Sequence, residues 1–257
     1  MTMDKPDTID RRVNKVAAYA TALAAKYLTA RRKLATVTPM MERDLASIFD
    51  NSYGAHIFID LRLTLTIDLV RDLWAFIFDG DPRAPSLKNV WGMIQNPELL
   101  GALRERHGAP ISGTDSLDEG DWTQEEIEIW RDLWAESDRS RQGAAFDDAY
   151  RRISEALPNL LSSDRAERLK RARSKAIAHY EMKATKTGAE LHNLSDVGLK
   201  MHDARLFMEE IDPIIWDVVL LATWGSYDVS GFENRDKLYV ADFWSRLQGK
   251  GPIKEIE

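Results

Sequence analysis

Cysteine is absent from the 257-residue chain. That removes disulfides, thiolate zinc sites and a cysteine nucleophile at once, and it fits a reducing compartment. Long apolar runs are missing as well. The most apolar stretch, Pro213 to Trp224, carries Asp217 and is far shorter than the ~20 residues needed to cross a bilayer. Met1 to Asp7 shows no basic start followed by an apolar segment, so the expectation is a cytoplasmic protein with no membrane association. Glycine-rich phosphate loops, a Gly-x-Ser-x-Gly elbow, a dinucleotide fingerprint and a His-Glu-x-x-His pair are all lacking, so the usual markers of phosphoryl, acyl and hydride transfer and of zinc hydrolysis are gone. A net charge of −7 argues against a surface built to wrap duplex nucleic acid; any such contact must be local.

What is present is helical patterning. Residues from about Thr8 to Ala35 place Val13, Val16, Ala17, Ala20, Ala24, Tyr27 and Leu28 on one face. Thr38 before Pro39 reads as an N-cap for a second helix to about Asn51, closed by Gly54. His56 to Asp79 alternates apolar residues as a strand does, yet its length and its polar stripe of Asp60, Thr64, Asp68, Arg71, Asp72 and Asp79 favour one long helix. A turn through Gly80, Pro82 and Pro85 leads to a short helix capped by Ser86, and Pro97 restarts the chain to about Arg106.

The polar stretch 108–121 predicts an exposed loop between two helical halves of a single domain spanning 1–257. Thr123 and Glu126 form a capping box for a helix that turns Ile127, Trp130 and Trp134 inward, with Gly143 as a possible kink, and ends at Pro158. Asp164 and Glu167 look like a second capping box, opening a helix over 165–183. Further helices are predicted from about Leu194 to Trp224, bent at Pro213, and from about Asn234 to Leu247, before a loose tail. The fold class is all-α: a multi-helix bundle with long antiparallel helices.

Charge runs against the average in one segment, where Arg165, Arg168, Lys170, Arg171, Arg173, Lys175, Lys183 and Lys186 face few acids. Such an excess either holds phosphates or is a solvated helix face. Within it stands Arg173-Ser-Lys-Ala-Ile-Ala-His179-Tyr180-Glu181. Arg173 shares a stripe with Leu169, Ala176, Ile177 and Tyr180, an apolar setting in which a guanidinium needs a carboxylate, carbonyls or a phosphate as counterpart. On an ideal α-helix His179 lies ~120° round from Arg173 and ~9 Å along, too far apart for one helix to clamp one phosphate easily. Two copies crossing at Ala172, Ala176 and Ala178 bring both residue types to one cleft, which predicts a homodimer.

The arginine followed after five residues by histidine, with Ala178-His179-Tyr180-Glu181 as its ending, resembles the motif of the HEPN superfamily, and within it the AbiU-like abortive-infection branch. The segment Asp72-Leu-Trp-Ala-Phe-Ile-Phe-Asp79, its proline turn and Ser86-Leu-Lys-Asn-Val look like the corresponding helix and turn of that branch. The resemblance covers residues from about 45 to 225. It implies a HEPN-like fold and metal-independent cleavage of RNA without a cofactor, in phage defence or alongside an antitoxin protein. Arg173 and His179 are then the catalytic pair, His179 as acid or base and Arg173 stabilising charge on the phosphate, with Lys175, Tyr180 and Glu181 in support. Ser174 stands where active members often carry Asn, Asp or His. Tyr180 follows the histidine directly, rather than two residues on as in members controlled by tyrosine adenylylation. The alternative is a non-catalytic interaction or nucleotide-binding scaffold on the same fold.

Two further sets of residues were weighed on chemistry alone. His192, Asp196, His202, Asp203, Glu209, Glu210 and Asp212 have irregular spacing and read as solvated faces before a metal site. Trp74, Trp130, Trp134 and Trp216 fit core positions, whereas Trp91, Trp224 and Trp244 stand near helix ends or loops, where an indole can stack a base.

Overall fold

A computed structural model describes residues 8–41, 47–49, 52–109, 123–178, 182–185, 188–191, 196–223 and 229–249. The fold is all-α, with eight α-helices among the described residues. They are α1 (Ile9–Val37), α2 (Gly54–Phe78), α3 (Leu87–Ile94), α4 (Pro97–His107), α5 (Gln124–Leu161), α6 (Asp164–Arg171), α7 (Met201–Thr223) and α8 (Val229–Leu247). A π-helical segment, Ala172–Ala178, continues α6.

Helix α7 is the spine of the bundle, packed between α1 and α5. Its residues Phe207, Ile211, Ile215, Val218 and Ala222 recur every three to four positions and are buried, the pattern of an interior-facing helix stripe. Helix α1 answers with Val13, Val16, Ala20, Leu23, Tyr27 and Ala30. Where the two meet, Asp212 accepts hydrogen bonds from the Tyr27 hydroxyl and from Trp216 Nε1, the latter at 3.1 Å. That satisfies a carboxylate at the edge of the core.

Helix α2 runs alongside α1, clasped by Lys33 Nζ to Asp68 and Asp72 at 2.6 and 2.5 Å. Desolvation opposes the ammonium, yet the two carboxylates hold Lys33 above the usual lysine range. In the first half of α2, Phe58 is buried and stacks on Phe49, whereas among the described residues Ile57, Ile59, Leu61 and Leu63 stay exposed. The second half buries Leu69, Leu73, Phe76 and Ile77.

Several boundaries differ from the sequence expectation for local reasons. Thr38 closes α1, its amide and hydroxyl both donating to the Leu34 carbonyl, and Pro39–Met41 winds as a 3-10 turn; most of the second helix expected to Asn51 lies outside the described residues. Gly54 begins α2 rather than ending an element. Helix α5 passes through Pro158 to Leu161, because a proline so near the C-terminus removes only one ladder bond. Ser163, not Asp164, caps α6 through the Ala166 amide at 3.2 Å. Helix α7 starts at Met201, well after Leu194, and α8 starts at Val229, ahead of Asn234. The expected helix to Lys183 stops at Ala178, and Met182–Thr185 pairs antiparallel with Gly188–Leu191 as a short hairpin. Apart from Gly108 and Ala109 the 108–121 loop lies outside the described residues, as does the tail after Gly249.

Other expectations held as read. Ser86 caps α3, accepting from the Asn89 amide and donating to the Asp79 carbonyl at 2.6 Å. Pro97 opens α4 as expected, with Asn96, which the sequence reading did not name, as its N-cap, and both halves of the Thr123–Glu126 capping box form. No helix among the described residues is long and apolar enough to cross a membrane.

Candidate functional site around Arg173

The motif helix is anchored from its first turn. Ala166, Leu169 and Ala172 fall three residues apart and are buried, fixing one side of α6 against the bundle. On the other sides the basic residues divide into two groups. Arg165 pairs with Glu210, Arg168 with Asp203 at 2.9 Å and Lys170 with Glu167 at 2.7 Å. Desolvation raises the Asp203 carboxyl, but the Lys200 amide and the Arg168 guanidinium outweigh it and hold the group below the usual range. These three cations are structural, so for the first half of the basic run the solvated, paired reading is the correct one.

From Arg171 onward the pattern changes. Among the described residues, Arg171, Arg173 and Lys175 form no ion pair. Arg173 is half-buried, and its guanidinium sits 4.4 Å from the centre of the Trp74 ring on α2. An aromatic face stabilises a cation without neutralising it. The sequence reading asked for a carboxylate, a carbonyl cluster or a phosphate; the partner is an indole, which leaves the positive charge in place.

The backbone is also unusual at this point. Ala172–Ala178 is π-helical, with i to i+5 hydrogen bonding. A wider turn rotates each residue by less than the α-helical 100°, so ideal α geometry does not describe the stretch from Arg173 to Ala178. π-Helical turns inside α-helices are rare and cluster at functional sites. Here the segment packs against α2, which is what brings Trp74 beneath Arg173.

His179, Tyr180 and Glu181 lie outside the described residues, as do the side chains of Ala178 and Lys183 and all of Lys186. Lys175 is half-buried two residues beyond Arg173. Ala172 is buried in its own chain, so it is not available for the close helix crossing expected of it, and Ala176 alone of the three alanines stays half-buried and described.

The tryptophans are redistributed relative to expectation. Trp130 and Trp134, expected inward, are 41% and 45% exposed, whereas Ile127 on the same expected stripe is buried. Trp91 and Trp244, expected near a surface, are buried, and Trp244 Nε1 donates to the Thr36 carbonyl at 3.2 Å. Trp216 and Trp74 are half-buried, and Trp224 lies outside the described residues. Trp74 is the contact of Arg173 that the sequence did not reveal. It was taken for packing, and no local pattern links position 74 to position 173.

The acidic and histidine residues weighed for a metal are engaged otherwise: Asp203 with Arg168, Glu210 with Arg165, Glu209 with Arg205, and Asp212 with Tyr27 and Trp216. Among the described residues no three His, Asp or Glu side chains stand together as a metal site.

Comparison with known proteins places this geometry in a family. No curated protein and no solved structure matches the chain significantly. The family model of the HEPN group described as AbiU2 matches residues 14–243, spanning α1 to the last turns of α8 and including Trp74 and the whole Arg173–His179 motif. The chain therefore belongs to the HEPN AbiU2 family.

Proposed function

We propose that the chain is a metal-independent endoribonuclease of the HEPN type, acting in the cytoplasm as a homodimer in phage defence or beside an antitoxin protein. The observation that carries the reading is Arg173: half-buried, unpaired with any carboxylate among the described residues, and held on an aromatic face. A cation in that setting is suited to receive a phosphate, whereas the cations one turn earlier are already neutralised.

The chemistry follows from RNA itself. The 2′-oxygen attacks the adjacent phosphorus, the 2′-proton is taken up by a base, and the 5′-oxygen leaves with a proton supplied by an acid. The products are a 2′,3′-cyclic phosphate and a 5′-hydroxyl. His179 serves as acid or base, because a histidine side chain with its unperturbed pKa of ~6.5 suits proton transfer at neutral pH. Arg173 offsets the charge that accumulates on the non-bridging oxygens. Lys175 adds positive charge nearby, and Tyr180 and Glu181 support the histidine.

Purified protein incubated with mixed cellular RNA in EDTA is expected to leave 2′,3′-cyclic ends, and His179→Ala to abolish them. Intact RNA with purified wild-type protein contradicts the reading. Ser174, which replaces the Asn, Asp or His frequent after the arginine in active members, favours a second reading, a non-catalytic nucleotide-binding scaffold. Expression in a bacterial host separates the two: growth slowed by the wild type and restored by His179→Ala supports the nuclease, and harmless expression supports the scaffold.

A further inference from the structure

We propose that Trp74 is the positioning residue for Arg173: it holds the guanidinium over its ring in the place a carboxylate would otherwise take, so that the charge is both aimed and unspent. This rests on the ribonuclease reading above and assigns a role on α2, a helix that carries none of the motif.

Three observations support the assignment. First, α6 shows what this chain does with a cation that only stabilises the fold. Arg165, Arg168 and Lys170 each meet a carboxylate from α7 or from their own helix. Arg173 breaks that rule within a few residues, although it is half-buried.

Second, the contact is close. At 4.4 Å from the ring centre the guanidinium is well inside the ~6 Å reach of a cation–π interaction, and tryptophan is the strongest of the aromatic partners. Other such contacts among the described residues are longer: Lys170 over Phe78 at 4.9 Å, Lys15 over Tyr19 at 5.6 Å, and Arg31 over Tyr27 and Arg32 over Tyr239 at 5.8 Å; of these cations Arg31, Arg32 and Lys170 also meet a carboxylate.

Third, the choice of an aromatic over a carboxylate has a chemical consequence. A carboxylate competes with phosphate for the same five N–H donors and cancels the charge. A ring face engages the π side of the cation and leaves those donors to a planar, bidentate oxyanion. The half-burial of Arg173 strengthens its interaction with an incoming phosphate, because screening by water is reduced.

The test uses the full-length protein and four variants: Trp74→Met, which keeps apolar bulk without a ring, Trp74→Phe, Arg173→Ala, and the double variant Trp74→Met with Arg173→Ala. Cleavage of RNA gives kcat and KM, and a short 2′-O-methyl RNA, which cannot be cut by 2′-oxygen attack, gives binding alone. Side-chain NMR of Arg173 supplies a signature independent of activity, since a guanidinium over an indole carries ring-current shifts. Trp74→Met is expected to erase those shifts and to lower kcat about tenfold, the rate equivalent of losing one cation–π contact. Trp74→Phe is expected to restore part of both. The double variant is expected to be no worse than Arg173→Ala alone, because the two residues act as one unit.

Losses that add in the double variant, or a fall in thermal stability with kcat unchanged, overturn the positioning role and make Trp74 a packing residue. Wild-type protein that binds the 2′-O-methyl RNA without cutting normal RNA overturns the ribonuclease reading instead. The role of Trp74 is then decided by whether its Met variant and Arg173→Ala weaken that binding non-additively. Wild-type protein that neither binds nor cuts overturns both.

Discussion

The two halves of the motif helix treat the same kind of residue in opposite ways. In α6, Arg165, Arg168 and Lys170 are each tied to a carboxylate. From Arg171, the last residue of α6, onward, Arg173 rests on Trp74, and Arg171 and Lys175 have no ion pair among the described residues. A basic run that looks uniform in the sequence is therefore two devices. One fastens α6 to α7. The other keeps positive charge available beside α2.

The contrast predicts a separation of effects. Arg173→Ala is expected to lower RNA cleavage by about 100-fold or more, the scale of removing one donor from a charge-stabilising site, with little change in Tm. Arg168→Ala is expected to do the reverse. It leaves Asp203, only 13% exposed, without its cation and costs about 2 kcal/mol in denaturant unfolding, while cleavage per folded molecule is unchanged. The same salt bridge carries a pH signature. Because the folded-state pKa of Asp203 is depressed, its contribution is present above the ordinary aspartate pKa and is lost as pH falls through the folded value. Arg168→Ala should remove that part of the acid sensitivity. Lys170→Ala, on an exposed pair within one helix, is expected to leave both Tm and cleavage unchanged.

A third region gives a control away from the motif. His107, at the end of α4, is buried against Phe146, and among the described residues neither ring nitrogen has a hydrogen bond of good geometry, with the Gln142 backbone as a polar neighbour. Burial pushes its pKa down, with a weaker upward pull from the Gln142 backbone. The native state therefore prefers the neutral ring, and the unfolded chain takes up a proton first as pH falls below about 6.5. Stability is expected to drop in that window by urea unfolding, and His107→Phe to flatten the drop without altering cleavage measured at pH 7.5, a buffer of about one unit above the ordinary histidine pKa.

Much of the architecture could be read from side-chain periodicity and capping. The stripe of α1, the long helix at 54–78 and the caps at Ser86 and Thr123 all rest on interactions within a few residues. What escaped was set by distant parts of the chain. Trp130 and Trp134 have helix-face spacing suited to a core, but of that expected stripe Ile127 is buried while the two tryptophans are exposed. Trp91 and Trp244 were placed outside because they are near helix ends, and packing of other helices buries them. Thr38 has the chemistry of both an N-cap and a C-cap, and the Leu34 carbonyl decided it. Arg173 was picked out because a charge on an apolar stripe demands a counterpart. The identity of that counterpart, 99 positions upstream on another helix, was not available from any local pattern.

The most direct measurement is the rate of RNA cleavage in EDTA by the wild type, Arg173→Ala and Arg168→Ala, each corrected for its folded fraction. Cleavage lost with Arg173→Ala and retained with Arg168→Ala is the predicted result. Equal losses in the two variants, or none in either, would contradict the division of the helix into a fastening half and a charge-presenting half.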